Sequence, residues 1–337
     1  MHAPTRFLHL RALTDHHGVF EHALLDTPRR EHGYCVDDVA RALIVVVRDP
    51  GQEAEILQLT ELYLRFLEAA IGPDGRAHNR MDAHGRWSDE PSTGDWWGRL
   101  LWALGTAAAQ ASDPSIRDRA LHVFHRAAAQ RSRDLHATAF AALGAAEVAR
   151  THPGDRAAEA LLADLIRAVP AQRRASWPWP EPRLRYANAS IAEALIAAGS
   201  ALGDDVATDR GLHLLTFLLM LETAGDHLSV TGTTGRGPGE TDPQFDQQPL
   251  EVAAIADACA RAYEVTGDPD WLAGVELAWQ WFTGRNDGGI PMIDEGTGAG
   301  FDGLQRDGRN ENRGAESTLA AISTHQQASR IGMPSRA

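Results

Sequence analysis

Six short stretches place carboxylates, amides and aromatic rings directly before an apolar run: GYCVDD (33–38), GDWWGR (94–99), RDLHAT (133–138), RYANAS (185–190), FDQQPLE (245–251) and NENRGAES (310–317). Side chains of these types have two uses. A carboxylate or amide can cap the helix that follows it. The same groups can also bind the hydroxyls of a ligand, and flat rings can stack on the C–H face of a sugar. Asp, Asn and Ser cap helices everywhere, and Pro249 suits an early helical position. Caps do not call for Gln247 beside Gln248, Trp96 beside Trp97, or a buried Arg99. The joint pattern therefore points to a carbohydrate site with hydrogen-bonding groups Asp37, Arg41, Asp95, Arg99, His136, Asn188, Gln247, Gln248, Asp302, Asn312 and Glu316. Trp96, Trp97, Trp179 and Tyr186 supply the rings.

Cleaving a glycosidic bond needs two carboxyl groups, one protonated and one ionised. Asp38 and Asp246 are the favoured pair, with Glu251 as substitute. Asp38 is flanked by Cys35, Val36 and Val39, so desolvation can raise its pKa toward acid duty. Asp246 lies between Phe245 and two amides, where it can orient water. Asp37 and Asp38 point about 100° apart on a helix, so they do not face one another. Asp37 instead stands four residues before Arg41, the spacing of an ion pair.

These residues need elements that bring them together. Helical periodicity predicts helices over 37–48, 53–71, 95–111, 114–130, 134–151, 155–168, 188–202, 205–223, 247–266, 269–284 and 312–328, with 5–14 supplying a twelfth. Strand signals are confined to pieces near 76–88, 226–232 and 290–294, which read as hairpins in loops. The helices alternate in character. One set, such as ATAFAALGAAEVA, is apolar all round and must be buried on every side. The other, such as DPSIRDRALHVFHRAAAQR, carries one charged face. Six alternations predict an all-α (α/α)6 toroid, an inner ring of helices wrapped by an outer one, forming one domain over 1–337. Inner helices of such a ring run the same way, so the six polar starts would meet at one mouth.

Composition limits the partners. The 337 residues carry 32 basic and 46 acidic side chains, a formal net charge of −14. That disfavours nucleic acid and anionic membrane surfaces, which select basic patches. No stretch reaches the roughly 18 apolar residues of a membrane span. The two cysteines, Cys35 and Cys259, make no disulfide framework or metal motif. With no signal peptide in the opening residues, a cytoplasmic location is expected. Neither a metal nor a cofactor is expected: the histidines clustered at 2, 9, 16, 17 and 22 lack tight ligand spacing.

The segments TDHHGVFEHALLDTPRREHGYCVDDVARAL, WPWPEPRLRYANASIAEAL, FDQQPLEVAAIADAC and GFDGLQRDGRNENRGAESTLA together resemble a bacterial six-hairpin, glycosidase-like domain. That domain occurs alone or fused behind a retaining GT-B glycosyltransferase. The resemblance covers nearly the whole chain. It implies the toroid fold, cleavage of a small oligosaccharide of mannose or glucose type, and a functional association with a glycosyltransferase. Similar toroid glycosidases often invert configuration, with carboxyl groups about 6.5–9.5 Å apart. Two positions depart from the pattern. Val39 stands where similar proteins often carry Asn, and Ala187 where they often carry Asp. Three alternatives follow: a phosphorylase using Arg41, Arg99 or Arg313 to hold phosphate, a sugar epimerase or isomerase, and a glycan-binding accessory without chemistry. Epimerases typically use His as acid and base. Only His136 of the fifteen histidines stands at an inner-helix start, which disfavours that reading.

Overall fold

A computed structural model describes residues 5–51, 53–170 and 176–332. Its inner helices are α2 (Val36–Val47), α4 (Asp95–Gln110), α6 (Leu135–Thr151), α8 (Ala189–Leu202), α10 (Pro249–Thr266) and α12 (Ala315–Arg330). The outer ones are α1 (Leu8–Ala12), α3 (Ala54–Ala70), α5 (Pro114–Ala127), α7 (Arg156–Ala168), α9 (Asp205–Glu222) and α11 (Asp270–Phe282). Each inner helix packs on the next, and α12 returns to α2, so the inner ring closes. The architecture is the (α/α)6 toroid that the alternation predicts.

The split in residue character follows the split in position. Helix α6 is buried almost end to end, whereas α7 buries only Ala158, Leu161, Leu162 and Leu165. The alanine content of the inner set lets neighbouring axes approach closely. At the α4–α6 contact the approach is tighter still: a Cβ on Gly105 would lie 2.1 Å from the Gly144 carbonyl oxygen. No other residue type fits there without moving backbone.

Short antiparallel hairpins decorate the loops. Thr223–Ala224 pairs with His227–Leu228 and Ile293–Asp294 with Ala299–Gly300, hairpins that overlap two of the predicted regions, whereas Arg80–Met81 in the third pairs with the remote Tyr34–Cys35 across α2 and α3 rather than closing a hairpin. Two more, Ala23–Leu24 with Thr27–Pro28 and Gly303–Gln305 with Gly308–Asn310, carry no alternating pattern long enough to read. The expected helix over 5–14 shrinks to Leu8–Ala12 behind a 3-10 turn.

Candidate active site

The polar starts of the inner helices are mostly not caps. Only α6 has a side-chain cap, Asp134 accepting from the amides of His136 and Ala137. The N-cap residues of α2, α4, α8, α10 and α12 make no such bond. Outer helices α5, α7 and α9 are capped by Asp113, Asp155 and Asp204. The carboxylates of the inner starts are therefore free for other work.

All six starts open onto one cavity of about 790 Å³. Asp37 and Asp38 reach it from α2, Asp95 and Trp96 from α4, Asp134 from α6, Tyr186 from the turn into α8, Gln248 and Leu250 from α10, and Glu316 and Ser317 from α12. Loops add Glu21, His22, Asn79, Arg80, Asp302 and Asn310. Below Arg41 and Arg99 the axis narrows to an apolar neck of about 40 Å³ lined by Ile44, Val45, Trp102, Ala253 and Leu319. Apolar side chains thus fill the axis beneath the cavity and leave the cavity itself polar.

Asp38 is 2% exposed at the cavity floor. The Arg41 Nη1 donates to its Oδ1 at 2.6 Å, and the Cys35 thiol approaches its Oδ2 at 3.1 Å. Burial raises its pKa to about 7, against the pull of Arg41 and helped by the nearby Glu316 charge. Burial also holds the Cys35 thiol well above its usual range, so it stays protonated. The other Arg41 nitrogen, Nη2, reaches Glu316 at 2.8 Å. Asp37 pairs instead with Arg99, Nε to Oδ1 at 3.2 Å. This corrects the expected Asp37–Arg41 pair. The guanidinium of Arg41 takes the carboxylate one turn away on its own helix and a second one from α12. Asp95 accepts a hydrogen bond from the Tyr186 hydroxyl, and burial raises its carboxyl as well. Asp302 accepts from the Gly314 amide at 2.7 Å and fixes the start of α12.

Other expected site residues sit elsewhere. Asp246 is exposed in the loop before α10, in left-handed backbone with φ +50°, and does not line the cavity. Asp is among the few residue types that tolerate that conformation. The turn feeds Gln247 into bridges with Gly232 and Leu304. Gln247 is fully buried, donating to Asp287 at 2.6 Å and accepting from the Trp281 indole at 3.2 Å. Glu251 is buried and accepts from the Ala187 amide at 2.5 Å and from the Asn188 side-chain amide at 3.0 Å. Burial and the Glu222 charge raise its pKa. Asn188 is spent on that contact and on the Arg185 amide. Trp97 and Trp179 are core residues at 1% and 4% exposure and do not line the cavity; the Trp97 indole donates to the Ala127 carbonyl of α5 at 3.2 Å, and Trp179 lies in the segment before α8. Trp96 does line the cavity, its indole N–H donating to the Ala77 carbonyl at 2.8 Å. His136 is fully buried and stacks on Tyr186 at 4.5 Å, outside the cavity lining. Asn312 accepts from the Leu25 amide at 2.9 Å and does not line the cavity, nor does Arg313, which lies over the Phe301 ring.

Sequence reasoning gave no substrate role to Glu21, His22, Asn79, Arg80 or Asp134, weighing His22 only as a metal ligand and Asp134 only as part of a polar helix start. The first two lie in TDHHGVFEHALL, a segment with chemistry-bearing residues but no helix start to flag them. Among the described residues, Glu21, Cys35 and Asp38 bring metal-ligand atoms within 4.8 Å of one another. Arg80 and Arg41 already hold the two carboxylates, and the thiol is protonated, so the donor set is poorly suited to a cation. His2, part of the N-terminal histidine cluster, lies outside the described residues.

No family model matches the chain, and no curated protein matches it. Solved structures do. A sugar epimerase from a ruminal bacterium superposes with a TM-score of 0.73 at 13% identity, covering 97% of this chain and 96% of that one. Cellobiose 2-epimerase of Bacillus thermoamylovorans gives 0.70 at 12% identity over 94% and 95%. A GH76 α-mannanase of Bacteroides thetaiotaomicron gives 0.67 at 10% identity over 97% and 95%. The chain has the fold of these sugar-acting (α/α)6 toroids. Among the described residues no helix is long and apolar enough to cross a membrane.

Proposed function

We propose that the chain is a glycoside hydrolase acting on a small, uncharged oligosaccharide, with Asp38 as the protonated acid. The observation that carries the reading is Asp38 itself: a buried carboxyl at the cavity floor, beside Arg41, whose pKa is lifted to about 7, so that a substantial share of it is protonated near neutral pH. Glu316 takes the second role, as the base that activates water. It shares the Arg41 guanidinium with Asp38, and its side chain is 37% exposed, open to water in the cavity. The exposed position of Asp246 and the saturated contacts of Glu251 disfavour both for that role. Arg41 fixes the geometry of the pair, and Trp96 and Tyr186 border the sugar.

The charge balance favours water over phosphate as nucleophile. The cavity carries Glu21, Asp37, Asp38, Asp95, Asp134, Asp302 and Glu316 against Arg41, Arg80 and Arg99. Each of these arginines is already paired with a carboxylate. An anionic nucleophile or substrate would meet uncompensated negative charge. The glycosyltransferase association implied by the sequence resemblance belongs to this proposal as the source of the glycan. The test is release of reducing ends from manno- and gluco-oligosaccharides, with and without inorganic phosphate. Asp38→Asn is expected to bind the glycan by calorimetry and to lose turnover by about 10²–10⁴-fold. Unchanged turnover in that variant sinks the assignment.

An epimerase or isomerase is the second reading. A sugar epimerase, cellobiose 2-epimerases and a D-mannose isomerase share the fold over nearly the full chain. In its favour here, His22 lines the cavity next to Glu21 and could move a proton. Incorporation of solvent deuterium at the sugar's C2 without chain cleavage would establish it.

A further inference from the structure

A second cavity of about 660 Å³ adjoins the mouth, and the two share Tyr186 and Gln248 as a common wall. We propose that this second cavity is a subsite for additional uncharged sugar units of the substrate, so that the binding cleft runs from the mouth over Tyr186 to the loop at 231–235. The inference rests on the reading of the mouth as a glycan site and extends it to substrate length.

The walls of the second cavity are built rather than slack. Segment 181–186 and loop 231–236 are joined by a two-way backbone bridge between Leu184 and Arg236, at 2.7 and 3.2 Å. Arg183 reinforces it, reaching Glu240 at 2.6 and 2.9 Å and the Gly235 carbonyl at 3.0 Å. Beneath the loop, the buried Arg236 side chain donates to the Leu221 carbonyl at 2.7 Å. A pre-formed cavity binds without the cost of ordering its own loops.

The shared wall is held as firmly. The hydroxyl of Tyr186 donates to Asp95, its ring stacks on His136, and the Ala187 amide behind it is gripped by Glu251. Ala187 sits in left-handed backbone, φ +46°, which an alanine adopts only when its surroundings impose it. Glu251 is thus a positioning residue: it holds the turn that aims Tyr186 between the two cavities.

The chemistry of the second cavity differs from that of the mouth. Its charged side chains are held in pairs, Glu181 with Arg185 at 3.4 Å and Arg183 with Glu240 at 2.6 Å, while burial raises the Glu251 carboxyl toward its neutral form. Glu251 and Arg183 are committed to the contacts above. What faces the space are the exposed hydroxyls of Thr233 and Thr234, the Gln248 amide and glycine backbone. That set of neutral donors and acceptors suits sugar hydroxyls rather than an ion.

The test titrates manno- and gluco-oligosaccharides of two to six units into the catalytically disabled Asp38→Asn protein and into the same protein carrying Thr234→Trp. Thr234 is exposed, so a tryptophan there fills the cavity without touching the core. Expected is a gain in affinity of about tenfold or more from the shortest to the longer chains, abolished by Thr234→Trp. A Thr234→Ser control should keep the chain-length dependence, which separates filling of the cavity from loss of folding. Affinity that is flat with chain length, or a dependence that survives Thr234→Trp, overturns the subsite. These readouts need no catalysis. A protein that binds long chains better yet cleaves none keeps the subsite and loses the hydrolase reading, and one that cleaves without length dependence does the reverse.

Discussion

Asp38 stands in a sequence of small and apolar neighbours, and burial follows from them. Its raised pKa has a consequence for rate. The acid form is lost as pH rises through about 7, so kcat/KM should fall on the alkaline side with a limb near that value, read from a pH–rate profile. It also has a consequence for stability. The unfolded chain releases this proton near the ordinary carboxylate value of 3.8, the folded chain only near 7, so stability from this group is present at low pH and declines as pH rises between the two. The Asp38→Asn protein lacks that decline, and its melting temperature relative to wild type should rise across the same window. Ala187 carries the other prediction at this scale. Ala187→Gly relieves a left-handed alanine and is expected to stabilise by about 0.5–1 kcal/mol in urea unfolding, glycine's extra chain entropy offsetting part of the relief. The resemblance noted in the sequence leads one to expect Asp here, a residue type that tolerates the left-handed region, and that departure falls on a strained turn.

At the scale of elements, the inner and outer helices solve the same problem differently. Outer helices α5, α7 and α9 close their amino ends with Asp caps. Inner helices leave theirs to the cavity. Asp204→Ala should cost about 1 kcal/mol of stability and leave glycan turnover at the wild-type value, since α9 starts far from the mouth lining. The α4–α6 contact is the opposite case. Gly144→Ala places a Cβ 2.1 Å from the Leu101 carbonyl oxygen, so a loss of about 1–3 kcal/mol is expected, with a lower midpoint in denaturant. Helix type and extent were legible in the sequence because the apolar period is local: α4 is expected over 95–111 and runs Asp95–Gln110. The hairpins at 23–28 and 303–310 were not, because two or three residues of strand carry no period.

Across the whole molecule, the two ends of the inner ring are built for different purposes. The amino ends gather acid in excess of base around a cavity. The carboxyl ends form a polar clasp to which every inner helix or its terminal cap contributes. Gln110 donates to Glu147 at 2.9 Å, Arg261 reaches Glu147 at 2.6 Å and Glu193 at 3.9 Å, and Asp257 takes Arg48 at 2.9 Å and the Ser323 hydroxyl at 3.2 Å. Removing Arg261 leaves the buried Glu147 carboxylate with only Gln110 and the half-exposed Arg150 to hold it. Arg261→Met should cost about 3–5 kcal/mol, read by calorimetric melting. Glu193 is raised by burial and by the Asp257 charge. Glu193→Gln should therefore gain on wild type in melting temperature as pH climbs above 4.5, because only the wild-type unfolded chain profits from ionising there.

The sequence alone determined the ring. Alternation of fully apolar and half-polar helices leaves no other way to bury six of them on every side, and a closed ring of such pairs must gather its polar starts at one mouth. Tertiary structure decided which of those polar groups face the cavity. Asp246 was a reasonable choice by its neighbours, yet a left-handed turn sends it to solvent. Trp97 and Trp179 looked like platforms and became core. Asp37 and Arg41 had the spacing of a pair, but Arg99 from α4 and Glu316 from α12 reached them first. Each of these outcomes depends on a partner tens to hundreds of residues away or on a single backbone angle, and neither leaves a period in the chain to be read.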